Sequence, residues 1–222
     1  MGTSIIEHYF KKRIADDAQD DKKFLNQRVF TTVDRFLRLK AGRGLSGKLL
    51  DVGCGDGAFV AYCNAQGLQA KGVDIADGVN FETDPLPYPD HSFDIVTIFS
   101  VIEHVKESSN ILSEIKRVLA KGGLLIIITP NMYTTKFHFW DDPTHARPYS
   151  PVSLPWLMNI FHFRKIALGL WTVGKSAFFW SLSESLQFFI GAHLPFTGLT
   201  RYAPRFLKGR STTMLAVFAA EI

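Results

Sequence analysis

Lys48-Leu49-Leu50-Asp51-Val52-Gly53-Cys54-Gly55-Asp56-Gly57 joins an apolar run to three glycines separated by single residues. The run from Lys48 to Val52 predicts a buried strand, and a helix is expected to begin near Ala58. Between them the chain must turn sharply. Gly53, Gly55 and Gly57 carry no Cβ, so they can take backbone angles closed to other residues and let a ligand lie against the main chain. A helix that starts at such a turn presents unpaired N–H groups and a partial positive charge.

Outward from this loop, strand and helix patterns alternate. Ala58–Gln66 reads as a helix closed by Gly67, and Ala70–Asp74 as strand two. A short third strand is expected at Val79–Glu82, and Asp94–Ser100 is strand four. Ser108–Leu119 carries Ile111, Leu112, Ile115, Val118 and Leu119 on one helical face, and Lys121-Gly122-Gly123 stops it. Leu124–Thr129 is strand five, Phe163–Val173 strand six and Ser211–Ala219 strand seven. This alternation predicts an α/β fold with a mostly parallel sheet covered by helices on both faces.

Two more features sit at telling places. Strand two ends in Asp74, and Leu86-Pro87-Tyr88-Pro89-Asp90-His91-Ser92-Phe93-Asp94 runs straight into strand four. With the glycine loop, they make an ordered set that resembles class I S-adenosylmethionine (SAM)-dependent methyltransferases. Those carry a D-x-G-x-G-x-G loop, an acid after strand two and an L-P-F-P-D-x-S-F-D-like segment. The resemblance covers about residues 45 to 130. It implies a Rossmann-like sheet of seven strands, the last antiparallel, with SAM as cofactor. A dinucleotide cofactor would favour G-x-G-x-x-G spacing, whereas this loop is spaced G-x-G-x-G.

The chain of 222 residues reads as a single domain in four parts: an N-terminal helical segment (1–44), a SAM-binding core (45–130), an acceptor loop (131–160) and an apolar insertion (174–210) between strands six and seven. Within the first part, Ile5, Ile6, Tyr9 and Phe10 form one apolar stripe, and Phe24, Val29, Phe30, Val33, Phe36 and Leu37 a second. Hydrophobic content of 46% and charged content of 21% are those of a globular protein. The net charge of +4 is too small to point to nucleic acid, and none is expected as a partner. Cys54 and Cys63 make no disulfide framework, so a cytoplasmic location is expected. No apolar run approaches the roughly 18 residues of a membrane span.

For the cofactor, the resemblance implies a site built from Asp51, Gly53, Cys54, Gly55, Gly57, Asp74, Ile75, Asp84 and Ser100. Asp74 stands where a carboxylate can accept both ribose hydroxyls. Ile75 is expected to pack on adenine, Asp84 to meet its amino group, and Ser100 to line the methionine end through its backbone. The stretch between Asp84 and Leu86-Pro87 is shorter than the family pattern.

Acceptor residues in this architecture lie beyond the carboxyl ends of the strands. Ile102-Glu103-His104-Val105 follows strand four, and Phe139-Trp140-Asp141-Asp142-Pro143-Thr144-His145-Ala146-Arg147-Pro148-Tyr149-Ser150-Pro151 follows strand five. The D-x-T-H-x-R-P-Y-S segment resembles bacterial sugar and cell-envelope O-methyltransferases. That likeness implies His145 as the base that takes a hydroxyl proton from a sugar or glycan, with Asp142 orienting its ring and Arg147 binding an anionic group. His104 is a second candidate, with packing on the helix below as its other reading. Glu103-His104 also resembles the O-methyltransferases of ubiquinone synthesis and the small-RNA 2′-O-methyltransferases; the latter use a metal-binding E-x-x-E-H cluster, whose first acid is replaced here by Ser100. Glu103, His104 and His145 are few and scattered, so no metal is expected.

The insertion holds Phe178, Phe179, Trp180, Leu182, Leu186, Phe188, Phe189 and Ile190, followed by Arg201, Arg205, Lys208 and Arg210. An apolar helix before basic residues suits a membrane surface. A lid over the site and a homodimer face are the other readings.

Overall fold

The structure, a computed structural model, describes residues 19–171, 177–194, 196–197 and 208–221. The expected first helix around Ile5–Phe10 and the cations Arg201 and Arg205 lie outside them.

The elements follow the apolar patterns. They are α1 (Gln19–Ala41), β1 (Lys48–Val52), α2 (Ala58–Ala65), β2 (Gln69–Val73), β3 (Phe93–Phe99), α3 (Ser109–Val118) and β4 (Leu119–Pro130). Then come α4 (Met132–Thr135), α5 (Ser153–Ile160), β5 (Phe163–Leu170), α6 (Ala177–Ser181), α7 (Glu184–His193), β6 (Phe196–Thr197), β7 (Lys208–Arg210) and β8 (Thr213–Ala220).

Among the described residues the main sheet has six strands in the order β2-β1-β3-β4-β8-β5, a Rossmann-like arrangement. β1 is parallel to both β2 and β3, and β3 is parallel to β4. β8 enters antiparallel between β4 and β5. Because successive strand residues face opposite ways, neighbours divide between two cores. Leu50, Val96, Ile127 and Phe218 join one with the α3 residues Ile111, Leu112 and Ile115. Leu49, Ile95, Ile126 and Val217 join the other with Phe36, Phe59, Cys63 and Trp180.

The expected strand at Val79–Glu82, and with it the seventh strand, is corrected. That segment is a turn. Asn80 Oδ1 accepts from the Glu82 N–H at 3.0 Å, and Asp84 Oδ2 accepts from the Asn80 N–H at 2.9 Å. Short polar side chains thus satisfy the backbone groups that a ladder would have used.

The second apolar stripe of the N-terminal segment is α1: Val33, Phe36 and Leu37 are fully buried. Phe36 meets Trp180 of α6 edge-on, with ring centroids 5.8 Å apart. Trp180 Nε1 donates to the Leu170 carbonyl, and Gln187 of α7, also buried, donates to the Leu182 carbonyl at 2.8 Å. One face of the insertion is therefore tied to the sheet, while Phe178, Leu186 and Phe189 remain exposed.

Candidate active site

The turn after β1 is held by backbone bonds. The Gly53 N–H donates to the Val73 carbonyl at 2.8 Å, and the Gly57 N–H to the Cys54 carbonyl at 3.0 Å. Gly53, Gly55 and Gly57 all have positive φ, at 78°, 56° and 72°. A Cβ on Gly53 would stand 2.1 Å from Val101 Cγ2, so glycine is required there by space as well as by φ. Asp74 closes the loop from the other side. Its Oδ2 accepts from the Gly55 N–H at 2.9 Å and its Oδ1 from the Ala76 N–H at 3.0 Å, where it caps the 3-10 turn Ile75–Asp77.

Between these pieces lies a cavity of about 520 Å³, in the range of small-molecule sites. It is lined by Gly53, Gly55, Asp74 and Ile75, by Phe99 and Ser100, and by His104 and Lys106. Ser100 has positive φ (52°), and its N–H donates to the Ile128 carbonyl at 2.8 Å. The cavity thus offers a carboxylate beside glycine backbone and an apolar wall. Those are the groups that ribose hydroxyls, a sulfonium and an adenine require.

Of the nine residues expected at the cofactor, Gly53, Gly55, Asp74, Ile75 and Ser100 line the cavity. Asp51 is not in the lining; it is buried, with the Thr97 hydroxyl donating to its Oδ1 at 2.6 Å. Cys54 packs on β2, where a Cβ at Gly72 would be 2.6 Å from its Sγ. Burial, with the charges of Asp51, Asp74 and Asp77 adding, pushes the Cys54 thiol up to about 12. Gly57 caps α2. Asp84 stands in the 80–84 turn, and the acid that lines the cavity there is Glu82. Glu82 Oε1 accepts from the Lys106 N–H at 2.8 Å, which ties two cavity-lining residues together. Asn80, Glu82 and Lys106 were missed in the sequence, although Glu82 carries the one available signal, an acid two positions before Asp84.

The two acceptor stretches meet. Glu103 and His104 lie on the 3-10 turn Ile102–His104, and the Glu103 carbonyl accepts from the Ala146 N–H (2.8 Å) and the Arg147 N–H (3.0 Å). Arg147 is half-buried beside this junction. Asp142 Oδ1 accepts from the Thr144 hydroxyl at 2.6 Å, and the Thr144 oxygen lies 2.9 Å from His104 Nδ1. With its hydrogen given to Asp142, Thr144 Oγ1 acts as acceptor, so His104 carries its proton on Nδ1. His145 Nδ1 donates to the Phe139 carbonyl, and the ring stacks on Phe139 at 4.3 Å. The His104 and His145 rings are 4.8 Å apart. Asp142 was expected to orient His145; its Oδ1 reaches His104 through Thr144. A threonine 40 positions from the histidine it holds gives no local signal.

A family model described as "Methyltransferase domain" matches residues 22–168. The chain belongs to that family. The methyltransferase domain is 42% identical over 79 residues to a Mycolicibacterium smegmatis protein named "Probable S-adenosylmethionine-dependent methyltransferase", a match over 36% of this chain and 28% of that protein. It is 29% identical over 132 residues to 27-O-demethylrifamycin SV methyltransferase of Amycolatopsis mediterranei, over 49% of this chain and 47% of the relative. The chain therefore spans less than half the length of these curated relatives. A chain of the Haloferax volcanii complex that contains the Trm112 methyltransferase activator shares the fold, with a TM-score of 0.62 and 16% identity over 96% of this chain and 98% of that one.

Proposed function

We propose that the protein is a SAM-dependent O-methyltransferase whose acceptor is a hydroxyl of a sugar or glycan intermediate. The observation that carries this reading is that Asp74 and His104 line one and the same cavity. When bound, SAM supplies a methyl group on a sulfonium, which leaves without protonation. The chain has three tasks: to hold the cofactor, to place the hydroxyl in line, and to remove its proton.

Asp74, fixed by the Gly55 and Ala76 N–H groups, accepts the ribose hydroxyls, and Ile75 lies against the base. His104, which lines the same cavity, and its neighbour His145 receive the acceptor. Both rings hold their proton on Nδ1, so each presents Nε2 as the basic nitrogen. His145, supported by Phe139, is the base, and His104 guides the hydroxyl from the cavity side. Lys106 and Arg147 suit an acceptor with a uronate or phosphate. The relative named for 27-O-demethylrifamycin SV supports a hydroxyl acceptor.

A second reading, a phenolic or quinone-like acceptor, is favoured by exposed Tyr133, Phe137 and Trp140 within the acceptor loop. The same insertion surface that exposes Phe178 and Phe189 supports contact with a membrane that carries a lipid-linked glycan. A cytoplasmic location, peripheral to the inner membrane, suits that supply.

Calorimetry with SAM on wild type and Asp74→Ala tests the cofactor half. Losing two charge-assisted bonds of about 1.5–3 kcal/mol each predicts at least about 100-fold weaker binding; equal affinity would remove Asp74 from the site. His145→Ala should abolish transfer to hydroxyl acceptors and keep SAM affinity within about 2-fold. A SAM-binding regulator without turnover would instead bind SAM and methylate none of the glycan or phenolic acceptors.

A further inference from the structure

Glu103, His104 and His145 stand far apart in sequence, yet one ligand atom from each lies within 4.8 Å of the others. The three side chains were expected to be scattered; they converge instead. The set is two imidazoles and one carboxylate, the donor set of open zinc sites, in which a fourth position is left for water or substrate.

Each member is also braced from outside. The Thr129 hydroxyl donates to Glu103 Oε2 at 2.9 Å, in a place where Glu103 is 1% exposed. His104 Nδ1 donates to Thr144, itself held by Asp142, and His145 Nδ1 donates to the Phe139 carbonyl. Both histidines are thereby fixed in the tautomer that turns Nε2 to a ligand. Outer partners of this kind, a carboxylate-backed hydroxyl and a backbone carbonyl, are what metal-binding histidines have. A buried carboxylate beside two imidazoles is also costly to maintain as a mere packing unit. A tetrahedral ion with bonds of about 2.0 Å holds its donors about 3.3 Å apart, so the cluster has to contract by about 1.5 Å on binding. His145 sits on a loop, which can supply that movement. Lys106 and Arg147 are the nearby cations that oppose a metal; Glu103 and Asp142 offset them.

We infer that Glu103, His104 and His145 form a divalent transition-metal site, best suited to Zn²⁺, that opens onto the cavity. Its role rests on the O-methyltransferase reading, and it changes how the imidazoles act. With an ion present they are ligands rather than bases. The acceptor hydroxyl takes the open position, is made more acidic there, and gives its proton to water.

The test uses the whole chain, stripped with a chelator and then titrated with Zn²⁺ by calorimetry and with Co²⁺ by visible absorption. The expected result is one saturable equivalent with d–d bands of a low-coordinate cobalt site. His145→Ala and Glu103→Gln should each weaken it at least 100-fold. Thr144→Val should weaken it about 10–100-fold as an outer-shell change, with recovery in Thr144→Ser. SAM binding in chelator reports both folding and the separate cofactor reading. No saturable equivalent in wild type that still binds SAM overturns the site, as does equal affinity in wild type and His145→Ala. A metal site that behaves as expected in a protein that binds no SAM would keep this inference and sink the methyltransferase reading.

Discussion

Asp51 and Asp74, at the ends of adjacent strands, differ in what surrounds them. Asp74 has two backbone donors and a face on the cavity. Asp51 is buried, and burial pushes its carboxyl up to about 7, against the Thr97 hydrogen bond and with the Asp74 charge adding. A folded-state value above the usual carboxylate range means that the folded protein binds the proton more tightly than the unfolded chain. The contribution of Asp51 is then fully present below about pH 4 and lost as pH rises toward about 7, a loss of about 4 kcal/mol. Asp51→Asn should remove that slope. Urea unfolding of the two proteins should show the variant gaining on wild type between pH 4 and pH 8; parallel curves would show that Asp51 titrates normally. Asp74 was legible in the sequence because its role follows from its place at a strand end. The surroundings of Asp51 were not, since Thr97 reaches it from a strand 46 residues on.

Among the elements, the glycine turn was the most legible, and its three positive φ angles are what its spacing implies. What the spacing does not show is Val101, packed where a Gly53 side chain would go. Gly53→Ala should cost about 2–4 kcal/mol, from φ strain and the overlap together, and lower SAM affinity. Adding Val101→Ala should recover the packing part and leave the φ part; no recovery in a thermal-melt comparison would mean that the backbone alone sets the cost. The 79–84 segment was misread because its apolar residues, Val79 and Phe81, alternate as in a strand. The competition came from Asn80 and Asp84, whose side chains bond the local backbone. The acceptor loop was legible as a reactive stretch, yet the pairing of its members was not. The hydrogen bonds of Thr144 and the stacking on Phe139 depend on how the loop folds back.

At the scale of the molecule, the insertion is divided between two duties. Trp180 and Gln187 face the sheet, whereas Phe178 and Phe189 face outward at 73% and 62% exposure. No helix among the described residues is long and apolar enough to cross a membrane. Phe178→Ser with Phe189→Ser should therefore lower sedimentation with anionic vesicles at least about 10-fold, by removing two buried rings, with no effect on SAM affinity. Retained vesicle binding would direct attention to a dimer face. The parallel part of the sheet could be read from its apolar runs. The order of strands could not, because the place of β8 is decided by pairing with β4 and β5, far away in sequence.

That placement has a temporal meaning. Among the described residues, β5 has no partner in the main sheet other than β8. As a nascent chain leaves the ribosome, the segment 163–170 is complete some 40 residues before the strand that receives it. Until residue 213 and its successors arrive, one edge of β4 and both edges of β5 have unpaired backbone groups, the kind of edge that recruits other chains. Within this sheet the strand made latest is thus the one that joins β5 to β4, and the interval before it arrives is when these edges are most open to pairing with other chains.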